Sequence, residues 1–225
     1  MKKILLISGK IDSGKNVFAK FLYDEFVSRD ITVSQDLYAA DLKDYAREDF
    51  TVLRHVLENI STELKASLGV FVQSNDYISS EMHNHFISII DKLSFSGKSF
   101  YEDKTDITRT LLQIYGTDIV KNRFDNKYWI KSLSNRINNS ENDVIIITDV
   151  RFPDEIDDIS SFLKDSYTIP VRIERDIDRN SVEHTHISET SLDDYQYWEY
   201  IIDNNGSLDD FKDSAKLLVN DILHM

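Results

Sequence analysis

The sequence predicts an α/β fold, a five-stranded parallel sheet flanked by helices and interrupted by a helical insertion. Three observations predict it. Residues 3–29 pass from an apolar stretch through a glycine-bounded loop into an amphipathic pattern. Residues 144–148, VIIIT, form an apolar run of the kind that a parallel sheet buries on both faces. Strand and helix patterns also alternate over residues 1–48 and 143–225, the rhythm of parallel strands joined by crossover helices.

The first strand is read from Ile4, Leu5, Leu6 and Ile7, and the following helix from Val17, Phe18, Phe21, Leu22 and Phe26 at helical spacing. Between them lies Gly9-Lys10-Ile11-Asp12-Ser13-Gly14-Lys15-Asn16. This is G-x-x-x-x-G-K, the phosphate-binding loop. Its glycines let the backbone curl until consecutive N–H groups aim at a polyphosphate, and the helix adds its positive end. Lys15 brings a full charge to the transferable phosphate. The bland alternative is a strand-to-helix turn that binds nothing. The common motif continues with Ser or Thr, whose hydroxyl coordinates Mg²⁺. Here Asn16 offers an amide oxygen, either as a direct ligand or as a holder of metal-bound water.

Composition sets the limits. A chain of 225 residues with 41% hydrophobic content suits one domain carrying an insertion: a core of residues 1–48 and 140–225, an acceptor-binding helical insertion over about 49–139, and a short lid over about 175–190. A formal charge of −14 opposes binding to nucleic acid, since a polyanion would meet net repulsion. Without cysteine there is neither disulfide nor thiolate chemistry. The opening MKKILLIS is too short to be a signal peptide and leads directly into the glycine loop. No apolar run is long enough to cross a bilayer, so the expectation is a soluble cytoplasmic protein.

Residues 31–37 read as the second strand and 39–48 as a short helix carrying Lys43. Loops that follow parallel strands face the ligand crevice, so Lys43 is either a contact for an acceptor phosphate or a solvated lysine. Residues 50–104 carry two helical patterns, from Leu53 to Leu68 and from Met82 to Leu93. His83 and His85 lie on different faces of the second and make no shared metal site. Residues 106–139 read as two helices broken near Asp125-Asn126. Gly116-Thr117 interrupts the first, at a helical cost of ~1 kcal/mol against alanine that close approach of a ligand or another backbone would offset. Arg109 addresses the same space.

The strand at 144–148 ends in Asp149-Val150-Arg151-Phe152-Pro153. A carboxylate after an apolar strand is the second part of a phosphate-loop enzyme, close to metal and transferring phosphate. Asp149 fits that role, or it caps the helix that starts near Pro153. A helix over 154–163 and a strand over 169–175 follow. The polar stretch 176–190, with Arg175, Arg179, His184 and His186, reads as a lid whose arginines close over phosphates, or as a plain solvated loop; its histidines lack a third metal ligand. Residues 200–203 form the last strand, Asn204-Asn205-Gly206 a turn, and Ser207 with Asp210 a capping box for a helix running to residue 223.

GKIDSGK, RTLLQIYGTDIVKNRFDNKYWIKSL, IITDVRFPDE, THISET and IIDNNGSLDDF together resemble the deoxynucleoside monophosphate kinase family of tailed bacteriophages, which has a P-loop kinase fold. The resemblance follows most of the chain in order; its most specific part runs from Arg109 to Trp129, and it is weakest over 50–100. It implies transfer of the γ-phosphate of ATP, with Mg²⁺, to a deoxynucleoside 5′-monophosphate for DNA synthesis. By the matching motif positions, residues 9–16 would hold ATP, Lys43 and Arg109 the acceptor phosphate, and Gly116, Thr117 and Trp129 its sugar and base. Asp149 and Arg151 match a D-x-R motif at the transfer site, with Asn16 and Asp149 toward the metal. Arg175 and Arg179 would act from the lid, the first at the transfer site and the second on ATP, and Glu189, in the matching H-x-[ST]-E stretch after the lid, on the acceptor. Two positions depart from the family: Asp12, where arginine is usual, and Asn16, where Asp or Thr is common. Together they weaken the expected hold on ATP without removing the site.

Two other readings compete. A P-loop kinase for another phosphorylated metabolite, such as phosphomevalonate or dephospho-coenzyme A, would share the loop and the closing NNGSLDDF but lack the Arg109 to Trp129 pattern. A nucleotide-binding protein that kept the fold and lost the chemistry is the reading from a different class, kept alive by Asp12 and Asn16. Trp129, Tyr101 and Phe100 are placed either to stack on a base or to fill a core. Homodimerisation through the helical insertion is a further expectation.

Overall fold

The computed structural model describes residues 1–40, 121, 125–176 and 187–225. The chain divides into two compact units, Met1–Ala40 with Asn126–Met225, and Asp41–Asp125. The architecture below is that of the first. The helices expected over 39–48, within 50–104 and in the first half of 106–139 lie wholly or almost wholly outside the described residues.

Five strands form one sheet: β1 (Lys2–Gly9), β2 (Val33–Asp36), β3 (Val144–Ile147), β4 (Ser166–Glu174) and β5 (Tyr200–Asp203). Their order across the sheet is β2-β3-β1-β4-β5, and every neighbouring pair is parallel. The register pairs Ile4 with Ile145 on one side of β1 and Leu5 with Ile169 on the other. Because β1 is central, both of its faces are covered, which explains the continuous apolar run of residues 4–7. All five strands expected from sequence are present, with bounds shifted by up to three residues.

Helix α1 (Lys15–Val27) and helix α5 (Leu208–His224) lie on one face of the sheet. Leu5, Ile7, Ile146, Val171 and Ile173 meet Phe18, Leu22, Phe26, Phe211, Leu218 and Ile222 there in one buried cluster. Phe18 and Phe211 stack at 4.9 Å between ring centroids. Burying Phe18 completely contributes about 2–3 kcal/mol by area alone. The residues of opposite parity, Ile4, Leu6, Ile145 and Ile147, are buried on the second face. On that side Lys2 donates to the Ile137 carbonyl at 2.9 Å, which attaches helix α2 (Tyr128–Asn139). Ile130, Leu133 and Ile137 of this helix, in a segment grouped by sequence with the insertion, are buried.

Three further pieces complete the unit. The helix expected over 154–163 divides into α3 (Pro153–Asp157) and a 3-10 turn, Ile159–Phe162. Ile156, Ile159 and Phe162 recur every third residue, the period of a 3-10 helix, so the apolar side stays inward as the winding tightens. Helix α4 (Ile187–Thr190) is a single turn. Pro170 is tolerated within β4 because its carbonyl, and hence its missing N–H, faces β5 just before that strand begins; Glu199 N–H reaches that carbonyl at 3.0 Å. At the other end of β5, Ser207 and Asp210 form the expected capping box of α5.

Candidate active site at the carboxyl edge of the sheet

The loop leaving β1 is shaped by its glycines. A Cβ on Gly9 would lie 2.5 Å from Ser13 Oγ and 2.7 Å from the Ile173 carbonyl. Gly14 has φ 98°, and a Cβ there would meet Asn204 Nδ2 at 2.5 Å. Asp12 adopts φ 61°, a left-handed conformation that Asp tolerates better than most residues. Gly14 starts α1 with no side-chain cap and no acidic residue in the first turn, leaving that positive helix end to a ligand. Lys15 Nζ donates to the Gly9 and Lys10 carbonyls, at 2.7 Å each, which holds the ammonium over the loop. Ser13 Oγ is buried and has no hydrogen-bond partner among the described residues. A cradle that admits no Cβ, an uncapped helix start and a lysine folded over it fit a polyphosphate.

Beside this loop opens the segment after β3. Ser8, the residue before Gly9, donates its hydroxyl to the Val150 carbonyl at 3.0 Å. That bond sets Asp149-Val150-Arg151 against the phosphate loop. The carboxylate of Asp149 accepts from Tyr38 N–H at 2.8 Å through Oδ1 and from Ala39 N–H at 2.9 Å through Oδ2. It therefore caps the turn after β2, not the helix at Pro153. The buried Glu155 serves that helix, accepting from Arg151 N–H at 2.6 Å and Phe152 N–H at 3.1 Å. Tyr38, itself buried, donates its hydroxyl to the Glu155 carbonyl at 2.5 Å. Burial first, then Glu155, Asp149 and Asp154, push this phenol well above its ordinary value, so it stays a donor.

Two arginines hold loops at this edge of the sheet. Arg175, just past β4, donates through Nη1 to the Asp12 carbonyl at 3.4 Å. Arg136 on α2 grips Asp36 at the end of β2, with Nε 2.9 Å from Oδ2 and Nη2 3.1 Å from Oδ1, and Nη2 also reaches the Leu37 carbonyl at 2.7 Å. This fixes the exit of β2, from which residues 41 onward depart.

The sites expected from sequence fall into two groups. Gly9 to Asn16, Asp149, Arg151 and Arg175 meet at the carboxyl edge of adjacent strands. Trp129 is buried at the start of α2, edge-on to Tyr128 at 4.9 Å between centroids. Lys43, Arg109, Gly116, Thr117 and Arg179 lie outside the described residues, as do His83, His85, His184 and His186. Glu189 belongs to α4, of which only the backbone is described at that position. Among the described residues no group of three or more His, Cys, Asp or Glu could hold a metal by itself. Mg²⁺ does not require one, since it commonly binds through one or two protein groups together with substrate phosphates.

Sequence reasoning missed Glu155, Arg136, Arg172, Asp193 and Asn204. Asn204 donates to the Ser13 carbonyl at 2.8 Å and so supports the loop from the turn after β5. Arg172 carried a signal, as the one charge inside the apolar run IPVRI. The others required knowledge of which loops adjoin.

Among curated proteins no significant match is found. The model of the deoxynucleotide monophosphate kinase family matches residues 39–215. That match begins after the phosphate loop, so the loop's geometry and the family match are separate observations leading to the same chemistry. The chain belongs to the deoxynucleotide monophosphate kinase family, phosphotransferases that act on deoxynucleoside monophosphates.

Proposed function

We propose that this kinase takes its phosphoryl group from ATP with Mg²⁺, held by residues 9–16, and passes it to the 5′-phosphate of a deoxynucleoside monophosphate. The product is the diphosphate needed for DNA synthesis, formed in the cytoplasm, that of the host if the gene is a phage's. The observation that carries the donor half is the cradle itself: Gly9 and Gly14 leave no room for a Cβ while Lys15 bends over the loop.

Charge dictates the mechanism. Both substrates are anionic where they react, so cations must offset their repulsion and hold attacking and leaving oxygens in line. Lys15 neutralises the transferable phosphate of ATP. Arg151 and Arg175 stabilise the transferring phosphoryl, an effect on the order of 10³–10⁵ in rate for arginines in related phosphate-loop systems. Lys43 and Arg109 hold the acceptor phosphate, while Gly116, Thr117 and Trp129 surround its sugar and base. Arg179 contacts ATP and Glu189 the acceptor. Asn16 and Asp149 would hold Mg²⁺, which supplies charge neutralisation at the phosphates. An acceptor phosphate is already ionised, so no general base is required.

The test is ADP release with Mg²⁺ against dGMP, dTMP, dCMP, dAMP, the ribonucleoside monophosphates, phosphomevalonate and dephospho-coenzyme A. Turnover confined to deoxynucleotides is expected. Turnover only with a non-nucleotide acceptor, or ATP binding without any transfer, would overturn the proposal.

A further inference from the structure

Arg172 lies near the carboxyl end of β4, 9% exposed, between the buried Val171 and Ile173. A guanidinium at such a position is costly unless each of its arms finds a partner. Nη1 donates to Ser8 Oγ at 3.2 Å. Nη2 lies 3.7 Å from Asp193 Oδ1, and the guanidinium carbon sits 5.6 Å from the centre of the Trp198 ring. Desolvation pushes this guanidinium below its ordinary value, opposed by the nearby carboxylates of Asp193 and Glu174.

Each partner leads to the phosphate-transfer region. Ser8 accepts from Arg172 and donates its own hydroxyl to the Val150 carbonyl at 3.0 Å, between Asp149 and Arg151. The same Asp193 carboxylate forms an ion pair with Lys10 of the phosphate loop. A buried cation serving only the core would be replaceable by an apolar side chain of equal volume. Here one arm ends on Ser8 of β1, just before Gly9, and the other faces Asp193, whose carboxylate pairs with Lys10, just after Gly9.

We infer that Arg172 is a positioning residue for phosphoryl transfer, setting residues 149–151 through Ser8 and Lys10 through Asp193. It lies behind the loop and needs no contact with substrate. Its effect is to fix the separation between the loop that holds the donor and the segment carrying Asp149 and Arg151, a distance on which transfer depends steeply. This rests on the ATP site proposed above.

The test compares the full chain with Ser8→Ala, Arg172→Met, their double variant and Arg172→Lys. It measures turnover with the best deoxynucleotide, ATP affinity by titration calorimetry, and Tm. Ser8→Ala should lower kcat about tenfold with Tm nearly kept, and the double variant should be no slower than Arg172→Met, because both substitutions cut one relay. Arg172→Lys should fall between wild type and Arg172→Met, keeping the charge toward Asp193 while losing the fork. Additive losses in the double variant, or a Ser8→Ala enzyme with wild-type kcat and ATP affinity, would overturn the inference. If Arg172→Met does not fold, Ser8→Ala and Arg172→Lys still decide it. A wild-type chain that binds ATP but transfers nothing overturns the proposed function, and the relay is then judged on ATP affinity across the same variants. A wild-type chain that binds no ATP overturns both.

Discussion

Asp12 introduces a carboxylate into the loop proposed to hold ATP, yet its backbone serves the loop. Its φ of 61° suits Asp or Asn, and its carbonyl accepts from Arg175. Asp12→Asn keeps that conformation and removes the charge. The KM for ATP should fall, by about threefold to tenfold as expected for one partly screened like charge near a phosphate, with kcat little changed. Steady-state kinetics at two ionic strengths checks this, and an unchanged KM would show that the carboxylate points away from the nucleotide. Lys15 differs in kind, because in the proposed reaction its ammonium neutralises the transferring phosphate. Lys15→Ala should lower kcat by at least about a hundredfold, the scale for losing one preorganised charge-stabilising donor. Circular dichroism should report an intact fold, since its hydrogen bonds end on loop carbonyls and not in the core. Full activity in this variant would remove the loop from the reaction.

At the scale of elements, α5 provides a stability test independent of catalysis. Ser207 Oγ accepts from Asp210 N–H at 3.2 Å, while the Asp210 carboxylate accepts from Ser207 N–H at 2.9 Å and from its hydroxyl at 2.7 Å. Ser207→Ala should cost about 1 kcal/mol, as caps typically do, and lower Tm by about 2–4 °C for a chain of this size. The hydroxyl and N–H of Ser207 hold the Asp210 carboxyl below its ordinary value. A carboxylate depressed on folding contributes stability above its unfolded value and loses it as pH falls through the folded one. The contribution therefore disappears below the usual carboxylate range. Thermal melts from neutral to acid pH should show a wild-type advantage over Ser207→Ala that narrows at the acid end. A constant gap would mean that the carboxylate takes no part in the cap.

For the molecule as a whole, the proposed donor site is built on the sheet, whereas Lys43 and Arg109, proposed for the acceptor, lie in residues 41–125. The two substrates should therefore be separable by mutation. Lys43→Ala should raise the KM for the deoxynucleoside monophosphate about tenfold or more, on the scale of a lost charge-assisted hydrogen bond, while the KM for ATP barely moves. Initial rates with each substrate varied in turn would measure the split. An equal rise in both constants would argue that residue 43 supports the fold and contacts no acceptor.

Local patterns made much of this legible in advance. The run of residues 4–7, the glycines at 9 and 14 and the helical spacing of Phe18, Leu22 and Phe26 each state a backbone requirement within a few residues. The strand, loop and helix they specify are therefore determined by the sequence alone. The same holds for the Ser207–Asp210 cap, whose two partners are three positions apart, and the family pattern that begins at residue 39 is likewise carried by the chain itself. What depends on distant neighbours was not legible. The division of 154–163 into two windings follows from how closely Ile159 must approach the sheet. The choice of Glu155 over Asp149 as the cap near Pro153 depends on the turn at Tyr38 lying where Asp149 ends. The relay from Arg172 through Ser8 to Val150 exists only because the order β3-β1-β4 sets β1 between two strands that both follow it by more than a hundred residues in the chain. Hydrogen-bond partners within a turn are written in sequence, whereas partners across a sheet are set by the topology that brings the strands together.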